Sequence, residues 1–162
     1  MVDKVLFSSE KGEWGTPQDL FDELDAEYKF NLDPAASEGN AKCRDFYTVE
    51  QDGLSKPWHV LRAWREHRSD FNIFGAKVTP GRVFCNPPYG RKIGDWLRKA
   101  EAEFLSGNAE LIVMLLPART CTAWFHDYVY NKAEVIFLRG RITFEGAPSG
   151  APFPSMLAIW GE

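Results

Sequence analysis

Three stretches of this 162-residue sequence put polar or aromatic side chains directly after residues that favour strands. Asp33-Pro34 follows Asn31-Leu32, Asn86-Pro87-Pro88-Tyr89 follows Val83-Phe84-Cys85, and Pro117-Ala118-Arg119-Thr120 ends the apolar run 109–117. Proline lacks a backbone donor and has a fixed φ, so it suits a strand's exit and not its interior. An Asn-Pro-Pro-Tyr exit therefore presents an amide, stiffened carbonyls and an aromatic ring at a strand end. Open α/β sheets bind ligands outside the carboxyl ends of their strands. If these strands are parallel neighbours, a carboxylate, an amide, an aromatic and backbone carbonyls converge on one crevice. No nucleophile–base pair accompanies them, and no glycine-rich phosphate loop is present. His59, His67 and His126 are dispersed, and Cys43, Cys85 and Cys121 are odd in number and far apart. Neither a disulfide framework nor a metal site is expected. This set suits holding and polarising a neutral planar group better than hydrolysis.

The elements that must position these groups can be read from periodicity. Residues 16–28 form a helix, with Thr16 as N-cap, Pro17 in the first turn and Leu20, Phe21 and Leu24 as its apolar stripe. Residues 29–37 give a short strand ending at Asp33-Pro34, 44–49 a second, and 52–58 a turn-rich connection. Residues 60–71 are predicted as a helix with Arg62, Arg65 and Arg68 on one solvated face, followed by a loop over 75–81. Strand 82–86 then leads to a helix over 93–106, which carries Ile93, Trp96, Leu97, Ala100 and Phe104 on one side and stops at Gly107-Asn108. The uninterrupted apolar run 109–117 is a central strand covered on both faces. A helix over 121–133 follows, then two strand-like pieces that split at Arg139-Gly140, then a final strand from Ser155. This order predicts a doubly wound α/β sheet, mostly parallel, with antiparallel strands at its C-terminal edge. The tryptophans are assigned to the core, except Trp14 and Trp58, which stand beside motif residues in loops.

Composition bounds the rest. Six tryptophans and 44% hydrophobic residues imply a folded domain and not a disordered chain. One domain is expected over 1–162, with no separate target-recognition domain. No apolar run reaches membrane-spanning length, and the first residues lack the pattern of a signal peptide, so a cytoplasmic protein is expected. The formal charge of −4 counts against tight non-specific binding to nucleic acid but leaves room for a small basic face.

Six pieces occur in order: WGTP at 14–17, NLDPAAS at 31–37, DGL…PW at 52–58, VFCNPPYG at 83–90, LLPART at 115–120 and GRITF at 140–144. The Asn-Pro-Pro-Tyr motif resembles that of S-adenosylmethionine-dependent amino-methyltransferases. The ordered set, from Trp14 to Trp160, resembles the small phage-type DNA N6-adenine methyltransferases, the phage Dam family. The resemblance implies a compact Rossmann-like methyltransferase fold, S-adenosylmethionine as cofactor and DNA as partner. It implies that the Asn86 side-chain oxygen and the Pro87 carbonyl accept hydrogen bonds from the target amino group. Pro88 would stiffen the turn, and Tyr89 would stack on a base flipped from the duplex. Trp14, Thr16 and Pro17 would lie near the methionine part of the cofactor. Asp33, with Pro34 and Ala35, would sit at its amino end. Asp52 would meet the adenine of the cofactor and Asp45 its ribose hydroxyls. Arg91, Lys92, Arg139 and Arg141 would contact DNA. One departure is that the turn after Asp33 reads DPAASEGN, with a glycine only at 39. Sequence reading would fall to residues 59–80 or to the loops at 90–95 and 139–152, or specificity would be low. The same motif leaves one alternative, methylation of another planar amide or amine, such as a protein glutamine or cytosine N4, and the irregular turn after Asp33 leaves a second, a non-catalytic interaction module that kept the fold. The likeness also suggests a role in shielding phage DNA from restriction.

Overall fold

Residue 112 and its neighbours explain the architecture. In strand β5 (Ala109–Pro117) every residue from Leu111 onward is buried, and successive side chains enter opposite layers. Ile112, Met114 and Leu116 join a cluster with Trp58, Trp96, Leu97, Phe125 and Trp160. Leu111, Val113 and Leu115 join another with Phe21, Leu24, Phe84, Phe144 and Ile159. The apolar run therefore reports a strand sandwiched between two layers, as its lack of alternation predicts.

A computed structural model describes residues 14–68 and 71–162; the N-terminal segment tested above for a signal peptide lies outside the described residues. The elements are α1 (Gln18–Tyr28), β1 (Leu32–Asp33), β2 (Asp45–Phe46), β3 (His59–Arg68), β4 (Phe71–Cys85), α2 (Ile93–Leu105), β5, α3 (Ala123–Tyr128), β6 (Glu134–Phe137) and β7 (Ser155–Trp160). The sheet order is β2-β1-β4-β5-β7-β6, with β3 joined to β4. β2, β1, β4 and β5 are mutually parallel, whereas β7 runs antiparallel between β5 and β6. This is an α/β, Rossmann-like arrangement with the expected antiparallel C-terminal edge. Among the described residues no helix occupies the crossovers from β1 to β2 or from β2 to β4, which is how the first half stays so short. Among the described residues no helix is long and apolar enough to cross a membrane.

Four expectations are corrected. The helix predicted over 60–71 and the loop after it are a β-hairpin: β3 and β4 pair antiparallel from His59↔Pro80 to Arg68↔Phe71. The Arg/Trp/Glu spacing fits a helix turn equally well. Pairing with residues 71–80, which no local signal announces, decides for strand. The helical face of Arg62, Arg65 and Arg68 thus disappears. Arg62 pairs with Asp45 at 2.5 Å, and the side chains of Arg65 and Arg68 lie outside the described residues. The ribbon precedes residues 81–85 of β4, so it leaves the sheet at the edge opposite Asn86, over ten residue pairs or about 33 Å of extended chain.

Second, Thr16 does not cap α1. Pro17 occupies the cap position without a side-chain cap bond, and Thr16 is turned inward at 3% exposure. Third, Trp58 belongs to the core. It is fully buried, its Nε1 donates to the Gly53 carbonyl at 2.9 Å, and its backbone N–H donates to the buried Glu103 carboxylate at 2.8 Å. Fourth, the piece after Gly140 is no strand. Its contribution is a single antiparallel bridge between Gly15 and Glu145. β2 is likewise shorter than the 44–49 expected.

Candidate active site

Cys85 ends β4 fully buried, and the prolines that follow prevent the strand from continuing. The chain turns outward, leaving Asn86 half-buried at the carboxyl edge of the parallel strands. Asn86 Nδ2 donates to the Trp14 carbonyl at 2.5 Å and to Thr16 Oγ1 at 3.1 Å. A backbone carbonyl can only accept, so the amide nitrogen must face Trp14 and Oδ1 must face the other way. Asn86 Oδ1 accepts no hydrogen bond from the described residues. It is an oriented acceptor held ready.

A cavity of about 210 Å³ opens beside it, between the 14–17 strap, the turns after β1 and β2, and Asn86–Pro88. Asp33 forms its floor at 5% exposure. Its carboxylate accepts from the backbone N–H groups of Ala35 and Lys42, both at a long 3.3 Å. Burial pushes the Asp33 carboxyl up to about 6, and those two N–H groups and the Lys42 charge oppose the rise without cancelling it. A buried acid with so little compensation is poised for a cation. The turn that shapes this floor is braced by Gly53, where a Cβ would lie 2.0 Å from the Pro34 carbonyl oxygen. The glycine needed for close approach therefore comes from the turn after β2 and not from the DPAAS segment itself.

Of the residues expected to hold a cofactor, Trp14, Thr16, Asp33, Pro34, Ala35 and Asp52 line the cavity with Asn86, Pro87 and Pro88. Asp52 sits there in the left-handed region, with φ 54°, and its carboxylate accepts from the Leu54 N–H at 3.3 Å. Two expectations fall outside. Pro17 starts α1 and does not line the cavity. Asp45 faces a separate depression and is taken up by Arg62. Tyr89 stands beyond the cavity lining. Its hydroxyl donates to the Leu115 carbonyl at 3.1 Å, and its ring packs edge-on against Phe144 and Phe153 at 6.3 and 5.6 Å. Burial drives its phenol upward, with Cys85 adding to the rise, so the hydroxyl remains a donor. Burial likewise raises the Cys85 thiol, which keeps it from being a nucleophile.

Arg91, Lys92, Arg139 and Arg141 are exposed and make no ion pair with the described residues. Lys92 reaches the cavity lining. Sequence reading missed Lys42 and Glu145. Lys42 is a wall of the cavity whose side chain is only 7% exposed and pairs with Glu145 at 2.7 Å. A lysine beside Cys43 carries no signal of burial, and its partner lies 103 residues away. Arg119, present in the sequence only as part of LLPART, stands 6.0 Å over the Phe153 ring. Among the described residues no cluster of His, Cys, Asp and Glu could hold a metal. The arrangement sets a buried carboxylate, Asp33, and an oriented amide acceptor, Asn86, on the lining of one cavity.

Comparison with known proteins follows the same line. The family model for DNA N-6-adenine-methyltransferase (Dam) matches residues 4–160. A DNA N-6-adenine-methyltransferase of Escherichia phage T1 is 35% identical over 131 residues, 80% of this chain and 46% of that protein. One of Haemophilus phage HP1 (strain HP1c1) is 29% identical over 145 residues, 88% of this chain and 71% of that protein. The chain thus spans about half the length of the T1 relative and most of the HP1 relative.

Proposed function

Because the chain belongs to the DNA N-6-adenine-methyltransferase (Dam) family, we propose that it transfers a methyl group from S-adenosylmethionine to the exocyclic amino group of adenine in DNA. The observation that carries this reading is the orientation of Asn86, whose amide nitrogen is tied to Trp14 and Thr16 and whose oxygen is left to accept. An adenine amino nitrogen is a weak nucleophile because its lone pair is delocalised into the ring. Asn86 Oδ1 and the Pro87 carbonyl hold its two hydrogens and favour a more tetrahedral nitrogen with an available lone pair. The stiff Pro87-Pro88 turn supplies these acceptors already aligned, so no reorganisation is needed during transfer. Tyr89, its hydroxyl anchored on Leu115, keeps an aromatic ring next to the turn for a base taken out of the stack.

S-adenosylmethionine, when bound, supplies the electrophilic sulfonium methyl. The residues present fit it: Asp33 is a buried carboxylate short of partners and would take the ammonium, while Trp14 and Pro34 offer apolar wall. Asp52 would meet the adenine amino group. Asp45 is not part of this assignment, since Arg62 engages it. DNA would be met by the exposed Arg91, Lys92, Arg139 and Arg141, local positive charge on a chain of net charge −4. The β3–β4 hairpin and the loops at 90–95 and 139–152 are the candidate readers of sequence. The test is transfer of labelled methyl from S-adenosylmethionine to unmethylated DNA, with the product nucleoside identified by mass spectrometry. Label in N6-methyladenine, reduced by about 10²-fold or more in Asn86→Ala, is the expected result. Label confined to a protein amide or to cytosine would overturn the adenine assignment.

A further inference from the structure

The orientation of Asn86 depends on where the Trp14 carbonyl stands, and the 14–17 strap that carries it is not part of the sheet. Two contacts tie the strap from the other side. Gly15 bridges Glu145, whose backbone N–H donates to the Gly15 carbonyl at 2.8 Å. The Glu145 carboxylate is in turn held by Lys42 Nζ at 2.7 Å, and the same ammonium donates to Gln18 Oε1, just after the strap, at 2.9 Å. Lys42 is itself fixed, because its backbone N–H donates to Asp33 Oδ2 and its side chain is almost wholly buried.

We propose that Lys42 and Glu145 are positioning residues for methyl transfer: their ion pair clasps the 14–17 strap between α1 and the C-terminal loop, and thereby keeps the Trp14 carbonyl on Asn86 Nδ2 and Asn86 Oδ1 toward the substrate amino group. This rests on the transferase reading above. The geometry around Gly15 is tight enough for the clasp to act on the strap directly. A Cβ at Gly15 would come within 2.9 Å of Glu145 Oε2 and 3.0 Å of Glu145 Cβ, so the Glu145 side chain lies against the strap backbone. Without the pair, the strap keeps only its backbone bridge to Glu145, so the Trp14 carbonyl can shift off Asn86 Nδ2 and the amide can turn its other face to the substrate. An amide nitrogen there is a donor facing a donor, which opposes the grip on the amino group. The clasp also joins the Asp33 end of the cavity to the Asn86 end through one side chain, so the two halves of the site are held in register.

A purely structural role would lower stability and cofactor affinity together. A positioning role lowers the transfer rate out of proportion to both. The experiment compares the full chain with Glu145→Ala, Lys42→Met and Lys42→Arg, reading single-turnover methyl transfer to DNA, S-adenosylhomocysteine affinity by calorimetry and the thermal midpoint. Expected in Glu145→Ala are a fall in transfer rate of about tenfold or more and a change in cofactor affinity under about threefold; Lys42→Arg should recover most of the rate that Lys42→Met loses. Wild-type transfer rates in Glu145→Ala, or rate and affinity falling in equal measure, would overturn the inference. Should Lys42→Met fail to fold, Glu145→Ala decides alone, since its side chain is partly exposed. An active wild type separates these outcomes from failure of the transferase reading itself, for an inactive wild type that binds cofactor overturns both.

Discussion

Replacing Asp33 with asparagine should make the free protein more stable at neutral pH while destroying the ammonium site. A rise of the carboxyl from 3.8 to about 6 corresponds to about 3 kcal/mol. The native state holds this proton more tightly than the unfolded chain does. Asp33 therefore costs nothing by this route below about pH 4; its penalty grows between pH 4 and 6 and is complete above pH 6. Asparagine removes the titration. It keeps an acceptor for the Ala35 N–H but sets an amide donor against the Lys42 N–H, a loss of about 1–2 kcal/mol. The net gain at pH 8 is then about 1–2 kcal/mol, or about 3–6 °C in thermal midpoint for a chain of this size. At pH 4 the order reverses, because wild-type Asp33 is then protonated and the variant keeps only its mismatch. Denaturant unfolding of the full chain at intervals from pH 4 to 8 measures the difference directly, with calorimetry against S-adenosylhomocysteine beside it. A difference that stays flat across that range, or a variant less stable at pH 8, would refute the reasoning. Greater stability with lost affinity is the pattern of a residue kept for function and not for folding.

Two further outcomes follow from the same geometry. Gly53→Ala forces a Cβ onto the Pro34 carbonyl, 2.0 Å away; the turn after Asp33 must move, and stability should fall by about 1–3 kcal/mol with a parallel loss of cofactor affinity in calorimetry. Tyr89→Phe removes only the bond to the Leu115 carbonyl and should cost about 1 kcal/mol in denaturant unfolding while preserving transfer, whereas Tyr89→Ala should lose transfer with the ring.

What the sequence by itself determined is what neighbouring residues determine. The proline-rich exit after Cys85, the unbroken apolar run of β5 and the Asp33-Pro34 strand end are local signals, and the folded chain keeps them at one sheet edge because parallel strands present all their carboxyl ends together. The lining residues Asp33 and Asn86 were legible from their strand ends for the same reason, whereas Trp14 and Asp52 were expected only through the family resemblance. Only the tertiary structure decided the rest. Residues 59–68 carry a pattern compatible with helix, and pairing with residues 71–80 makes them a β-ribbon. Trp58 stands in a turn-rich segment, yet its indole and backbone find partners in Gly53 and Glu103 and it sinks into the core. Asp45 is one more acid until Arg62 takes it, and Lys42 one more lysine until Glu145 arrives from 103 residues away. A side chain's partner across that span is set by how layers stack, and the chain's local periodicity holds no record of it.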